Sequence, residues 1–127
     1  MTPAQAASLQ RLLAPRHIAF IGGDEALFAA RQCQAGGFTG HIWGVNPKRN
    51  SLDNHPCFAT VADLPEAPDA AFLAVPAMAV ADVVRQLSDC GAGGVVCYSA
   101  GFRELGTEGA VLEQALVEAA GDLALVG

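Results

Sequence analysis

Residues 17–48 read HIAFIGGDEALFAARQCQAGGFTGHIWGVNPK, and this stretch decides the fold. It opens with a short apolar run at 17–21, turns at two glycines, and continues into a segment whose apolar positions recur at helical spacing. The helix ends at a second glycine pair, and another apolar run follows at 41–45. This order of strand, helix and strand predicts two parallel strands joined by a right-handed crossover.

The same alternation covers the rest of the chain. Apolar runs at 70–75, 94–98 and 123–126 predict three further strands, and helical spacing predicts most of the connections between them. The strands are nearly continuous apolar runs, which is typical of a sheet covered by helices on both faces. The exception is the link at 50–69, which carries three prolines and has room for one short turn at 61–64.

We therefore predict one α/β domain over residues 1–127. Its sheet should be Rossmann-like and doubly wound, with about five parallel strands in the order 3-2-1-4-5 and helices on both faces. Residues that typically begin and end helices support the predicted helices. Thr2 and Pro3 can begin the first helix, and Gly91 can end the helix that follows the third strand.

Composition excludes several classes of protein. With 52% hydrophobic and 16% charged residues the chain is globular, and no apolar run approaches the roughly 18 residues of a membrane span. The N-terminus lacks the pattern of a secretory signal, so we expect a cytoplasmic protein without a membrane partner. The net charge of −6 argues against binding to nucleic acid. Four scattered cysteines predict reduced thiols rather than disulfides or a metal site.

Ligands of doubly wound sheets bind beyond the carboxyl ends of the strands. Four segments occupy such positions, and all are small, kinked or polar: Gly22-Gly23-Asp24, Asn46-Pro47-Lys48-Arg49, Pro76-Ala77 and Ser99-Ala100-Gly101-Phe102. No serine, cysteine or histidine belongs to a recognisable catalytic group. We therefore predict a binding site without catalytic residues and without a metal ion.

The first of these segments gives two opposite indications about an anionic ligand. Its glycines allow backbone N–H groups to approach a phosphate at the start of a helix. However, Asp24 and Glu25 place two carboxylates at that helix N-terminus, and the full G-x-G-x-x-G pattern is absent. A tight turn before an acid-capped helix explains the residues equally well.

The second segment discriminates between cofactors. An NAD-binding domain carries an acidic residue at the end of its second strand, to hold the ribose hydroxyls. Here the end of the second strand is followed by Asn46-Pro47-Lys48-Arg49. The two cations in this segment favour a ligand with an additional ribose phosphate, such as coenzyme A or NADP. A solvated basic turn is the alternative.

Six motifs, in order, resemble the N-terminal CoA-binding domain of NDP-forming acyl-CoA synthetases, which is related to the succinyl-CoA synthetase α subunit. They are AFIGG at 19–23, GGFTG at 36–40, VNPK at 45–48, VADLP at 61–65, AVPA at 74–77 and SAGF at 99–102. The resemblance extends from about residue 9 to the end of the chain. In one departure, Gly23 is followed directly by Asp24, where the family carries a longer glycine-rich loop.

The resemblance implies a CoA-binding module of an acid–CoA ligase, which makes acyl-CoA from a carboxylic acid, CoA and a nucleoside triphosphate. It implies that the first glycine turn lies near the pyrophosphate and that Lys48 lies near the adenosine phosphate. The full set of CoA-binding residues that it implies is Gly22, Gly23, Asn46, Pro47, Lys48, Val75, Pro76, Ala77, Ser99, Ala100, Gly101 and Phe102.

The resemblance also implies that the chain is one domain of a longer protein. Downstream ligase domains would be its partners, and one of them would carry the phosphohistidine, so this domain would bind neither ATP nor another nucleoside triphosphate and would be catalytically silent alone. Two alternatives remain open at this point. One is a degenerate or regulatory domain of a parent fused to a protein acetyltransferase, and the other is an NADP-binding domain.

Overall fold

Short strands and helices alternate along residues 1–98 and 107–126, which are the residues that the computed structural model describes. The helices are α1 (Pro3–Leu13), α2 (Asp24–Ala35), α3 (Ala77–Cys90) and α4 (Thr107–Ala120). The strands are β1 (His17–Gly22), β2 (His41–Val45), β3 (Ser51–Leu52), β4 (His55–Phe58), β5 (Ala70–Ala74), β6 (Gly94–Cys97) and β7 (Ala124–Val126). A 3-10 turn at Val61–Asp63 lies between β4 and β5.

The described strands form one sheet in the order β3-β4-β2-β1-β5-β6-β7. Every neighbouring pair is parallel except β3 and β4, which form an antiparallel hairpin. The predicted α/β fold, with a largely parallel sheet covered by helices, is confirmed. Among these residues, no helix combines the length and the apolar character that crossing a membrane requires.

The predicted strand order is wrong in one respect. The third predicted strand, now β5, pairs with β1 rather than lying outside β2. The place beside β2 is taken by β4, from the link in which the sequence indicated only a turn. This strand has four residues, includes Pro56 and is only partly buried, so it lacks the apolar run that reveals the other strands.

Two apolar cores lie on opposite faces of the sheet because successive strand residues point in opposite directions. On one face, Ile21 and Leu73 belong to a cluster that includes Val84 of α3. On the other, Phe20 packs in a cluster with Ala26 of α2. This two-sided burial is the physical reason that the strands read as continuous apolar runs.

The predicted helix boundaries are also confirmed. Thr2 caps α1 with its side chain, which accepts a hydrogen bond from the backbone N–H of Gln5, while the Gln5 side chain accepts one from the backbone of Thr2. At the C-terminal end of α3, Gly91 adopts the left-handed conformation that commonly terminates helices.

A buried carboxylate joins the start of the sheet to α1. Asp69 is 1% exposed and accepts hydrogen bonds from Arg11 Nε at 2.7 Å and Arg16 Nε at 2.9 Å. Its backbone N–H donates to His17 Nδ1 at 2.9 Å, so neutral His17 carries its proton on Nε2, which lies 2.7 Å from Glu66 Oε1. These residues lie at or before the starts of β1 and β5, so we assign the network a structural role.

Candidate functional site

A groove of about 470 Å³ lies beyond the carboxyl ends of β1, β2 and β5. This is the edge of the sheet where the sequence predicts a ligand. The structure brings together at this groove seven of the residues that were predicted for the site: Gly22, Gly23, Asn46, Pro47, Lys48, Val75 and Pro76. Ala77 begins α3 directly after Pro76 but does not line the groove, and Ser99, Ala100, Gly101 and Phe102 lie outside the described residues.

Four residues that line the groove were not predicted from the sequence. Thr60 and Val61, which follow β4, line it together with Val83 and Gln86 of α3. The helical spacing of α3 already assigns Val83 to a packed face, but the position of Thr60 and Val61 depends on β4, which the sequence did not predict. Without that strand, the turn after it could not be placed beside β2.

The first glycine turn is shaped by close backbone contact. Gly22 has a φ of 139°, and a Cβ atom built there would lie 2.3 Å from the carbonyl oxygen of Ala74 in β5. Only glycine can therefore occupy this position. Gly23 alone separates β1 from α2, and a Cβ atom there would meet no atom within 4 Å. The turn is thus as short as the sequence departure indicates.

Asn46 fixes the second loop against the first. Its Nδ2 donates to the carbonyl oxygen of Gly22 at 2.9 Å, and its Oδ1 accepts from the backbone N–H of Lys48 at 2.8 Å. Its own backbone N–H donates to the carbonyl oxygen of Phe58 in β4 at 2.9 Å. The side chain therefore links the ends of β1 and β2, and we assign it a positioning role between the loops.

The charges around the groove are distributed unevenly. In the described part of the chain, every arginine has a carboxylate within 4 Å, in the pairs Arg11–Asp69, Arg16–Asp69, Arg31–Asp53, Arg49–Asp24 and Arg85–Asp82. Lys48 is exposed and lines the groove, and no carboxylate of the described residues forms an ion pair with it. Among the described lysine and arginine side chains, Lys48 is therefore the one without a carboxylate partner and available to an anionic ligand.

The two helices that begin at this edge differ in charge. The first turn of α2 contains Asp24 and Glu25, whereas the first turn of α3 contains no acidic residue. Neither helix has a side-chain cap on its first N–H groups. The partial positive charge of α3 is thus not offset by carboxylates of its own first turn.

Metal binding requires a cluster of ligating side chains, and thiol chemistry requires a reactive cysteine. The described residues contain no group of three or more His, Cys, Asp or Glu side chains that could hold a metal ion. All four cysteines are free thiols, and burial raises the pKa of Cys33, Cys57 and Cys97, which makes them weaker nucleophiles at neutral pH.

A family model described as a CoA binding domain matches residues 16–126. This chain belongs to that family. The CoA-binding domain is 43% identical over 106 residues to a trans-feruloyl-CoA synthase from an unknown prokaryotic organism, a match that covers 80% of this chain and 15% of the relative. It is 36% identical over 120 residues to the ADP-forming acetate–CoA ligase I of Archaeoglobus fulgidus, with 88% of this chain and 17% of the relative covered.

A solved structure agrees with these relatives. The apo form of the dinucleotide-forming acetyl-coenzyme A synthetase 1 of Ca. Korarchaeum cryptofilum superposes with a TM-score of 0.84 and 29% identity, over 94% of this chain and 27% of that chain. The CoA-binding domain is therefore homologous to NDP-forming acyl-CoA synthetases, as the sequence motifs predicted. It spans about a sixth of the length of the two curated relatives, and these matches do not favour the acetyltransferase-linked or NADP-binding alternatives.

Proposed function

We propose that this domain binds coenzyme A in the groove and serves as the CoA-binding module of a larger, cytoplasmic acid–CoA ligase. The ligase would form an acyl-CoA from a carboxylic acid, CoA and a nucleoside triphosphate, and the nucleoside triphosphate would bind to other domains of the parent chain. The family match supports this proposal, as do the two relatives, a trans-feruloyl-CoA synthase and an ADP-forming acetate–CoA ligase. The partners of the domain would be CoA itself and those downstream domains.

The observation that carries the proposal is the position of Lys48. CoA is strongly anionic, so in a chain with a net charge of −6 a local positive charge at the site offsets the overall repulsion. Lys48 follows β2, where dinucleotide folds hold the adenosine ribose, and it is free of ion pairs within the described residues. We therefore place the 3′-phosphate of CoA beside Lys48 and the pyrophosphate beside Gly22 and Gly23.

Replacing Lys48 with alanine is expected to weaken the binding of CoA by about ten- to a hundredfold, because a charge-assisted contact to phosphate is lost. Dephospho-CoA lacks the 3′-phosphate, so its dissociation constant should change much less. Calorimetric titration of both ligands against both proteins measures the difference.

Arg31→Ala provides the matched control, since it removes one positive charge that is already paired with Asp53 at 2.8 Å, on α2 and outside the groove. It should leave both dissociation constants nearly unchanged. An equal loss of affinity for CoA and dephospho-CoA in Lys48→Ala would exclude Lys48 from the 3′-phosphate site. A similar loss in Arg31→Ala would reduce the result to an effect of net charge.

A further inference from the structure

An ion pair connects the two loops at the end of the groove. Arg49 Nη2 lies 2.6 Å from Asp24 Oδ1, and each residue directly follows one that lines the groove, Lys48 and Gly23 respectively. At the start of α2, the negative charge of Asp24 opposes an anionic ligand. In the structure, the same carboxylate also pairs with the guanidinium of Arg49, which could otherwise bind an anionic ligand.

The pair is built so that it can open. The side chain of Asp24 is 91% exposed and that of Arg49 is 32% exposed, and ion pairs in contact with water stabilise a protein little. The base of Arg49 is held independently, because its backbone N–H donates to the carbonyl oxygen of Asn46 at 3.3 Å. Only the guanidinium has to reorient for Arg49 to exchange partners.

A phosphate group is the stronger partner for such a guanidinium. It offers several oxygen acceptors, and arginine binds it with two parallel N–H···O contacts. A CoA molecule whose 3′-phosphate lies beside Lys48 would bring this chemistry to the residue next to Arg49. A bound phosphate and Asp24 therefore compete for one cation.

We infer that Arg49 is a second phosphate-binding residue of the CoA site and that Asp24 is an internal competitor that holds it in the free domain. On binding, Arg49 exchanges the carboxylate of Asp24 for a phosphate of CoA. This inference rests on the proposed function and adds to it a determinant of affinity. It also gives the acidic first turn of α2 a role other than simple repulsion.

The first test is Asp24→Asn, which removes the charge and keeps the size of the side chain. Because Arg49 is then released, we expect CoA to bind about five- to tenfold more tightly. Glu25→Gln is the matched control, since Glu25 lies in the same helical turn and forms no ion pair with the described residues. It should strengthen binding only about twofold, through reduced repulsion.

The decisive measurement repeats Asp24→Asn in an Arg49→Gln background. Exchange predicts that the gain in CoA affinity falls to the level of the Glu25→Gln control, because no guanidinium remains to be released. Titration of CoA into the four proteins of this cycle, with thermal unfolding to verify their fold, gives the coupling directly. Equal gains in both backgrounds would show that Asp24 acts by repulsion alone, and would overturn the inference.

Two further outcomes separate this inference from the proposed function. If the unmodified chain binds CoA and Asp24→Asn binds it more weakly, the ion pair of Asp24 and Arg49 serves to hold the two loops together. In that case only this inference is wrong. If neither the unmodified chain nor any variant binds CoA, the proposed function fails and the exchange fails with it.

Discussion

Gly22→Ala should destabilise the domain by about 4 kcal/mol or more, which is an exceptional effect for one methyl group. The added Cβ would lie 2.3 Å from the carbonyl oxygen of Ala74, and the φ of 139° is one that alanine rarely adopts. Both contacting atoms belong to paired strands, so neither can move without breaking the pairing of β1 with β5. Urea denaturation followed by the fluorescence of the buried Trp43 measures the loss.

Gly23→Ala is the control for this prediction. The residue is adjacent, and its Cβ would meet nothing within 4 Å. Only the backbone angles of Gly23, φ −97° and ψ −128°, are unfavourable for alanine, so we expect a smaller loss of about 2 kcal/mol. Similar midpoints for the two variants would mean that the close approach of β1 to β5 does not constrain the turn.

Asp69→Asn is expected to destabilise the domain by about 3 kcal/mol at neutral pH. The carboxylate is buried and accepts charge-assisted hydrogen bonds from Arg11 and Arg16, and each such bond is stronger than a neutral one. The amide of asparagine has one acceptor oxygen instead of two, so it loses the hydrogen bonds that one carboxylate oxygen accepts, such as those from the backbone N–H and Nε of Arg16 to Oδ2. It must also bury N–H donors of its own next to the two guanidinium groups. Chemical denaturation of both proteins at pH 7 tests the prediction.

The pH dependence of this effect has a defined sign. The guanidinium of Arg16, together with that of Arg11, holds the pKa of Asp69 well below its usual value of 3.8, although burial opposes the shift. The carboxylate therefore stabilises the fold fully above that usual value, and this contribution is lost as the pH falls towards the lower pKa of the folded state. The difference between the unmodified chain and Asp69→Asn should accordingly shrink below about pH 4.

Asp53→Asn separates this effect from a general loss of carboxylate. Asp53 pairs with Arg31 at 2.8 Å in an exposed position, and its φ of 55° is one that asparagine tolerates well. The variant should be almost as stable as the unmodified chain at every pH. If it instead loses as much stability as Asp69→Asn, burial is not what makes the Asp69 network strong.

Much of the fold could be predicted because strands that are buried on both faces of the sheet consist of nearly continuous apolar runs. The ends of β1, β2 and β5 and the starts of α2 and α3 all lie within a few residues of where glycine, proline and apolar spacing placed them. Strand order could not be predicted in the same way. A strand of four half-buried residues such as β4 leaves no periodic signal, and its pairing with β2 is decided by tertiary contacts.

The candidate site divides along a similar line. The topological rule for parallel sheets is sufficient to bring Gly22, Asn46 and Pro76 to one edge, since it depends only on where the strands end. Ion pairing between loops is a different matter. Asp24 and Arg49 are 25 positions apart. Nothing in that spacing indicates that the carboxylate of Asp24 pairs with Arg49, so the sequence presents Lys48 and Arg49 as two equally free cations.

The hairpin of β3 and β4 has a consequence for how the molecule behaves in concentrated solution. Without it, β2 would present a row of unpaired backbone N–H and C=O groups, and such edges are templates on which other chains aggregate. β4 pairs with β2 at Gly44 and Val45, and the outermost strand, β3, is only two residues long. Because Pro56 of β4 also lacks a backbone N–H, this side of the sheet gives a foreign strand little to pair with. The segment that widens the sheet thus also helps to keep neighbouring molecules apart.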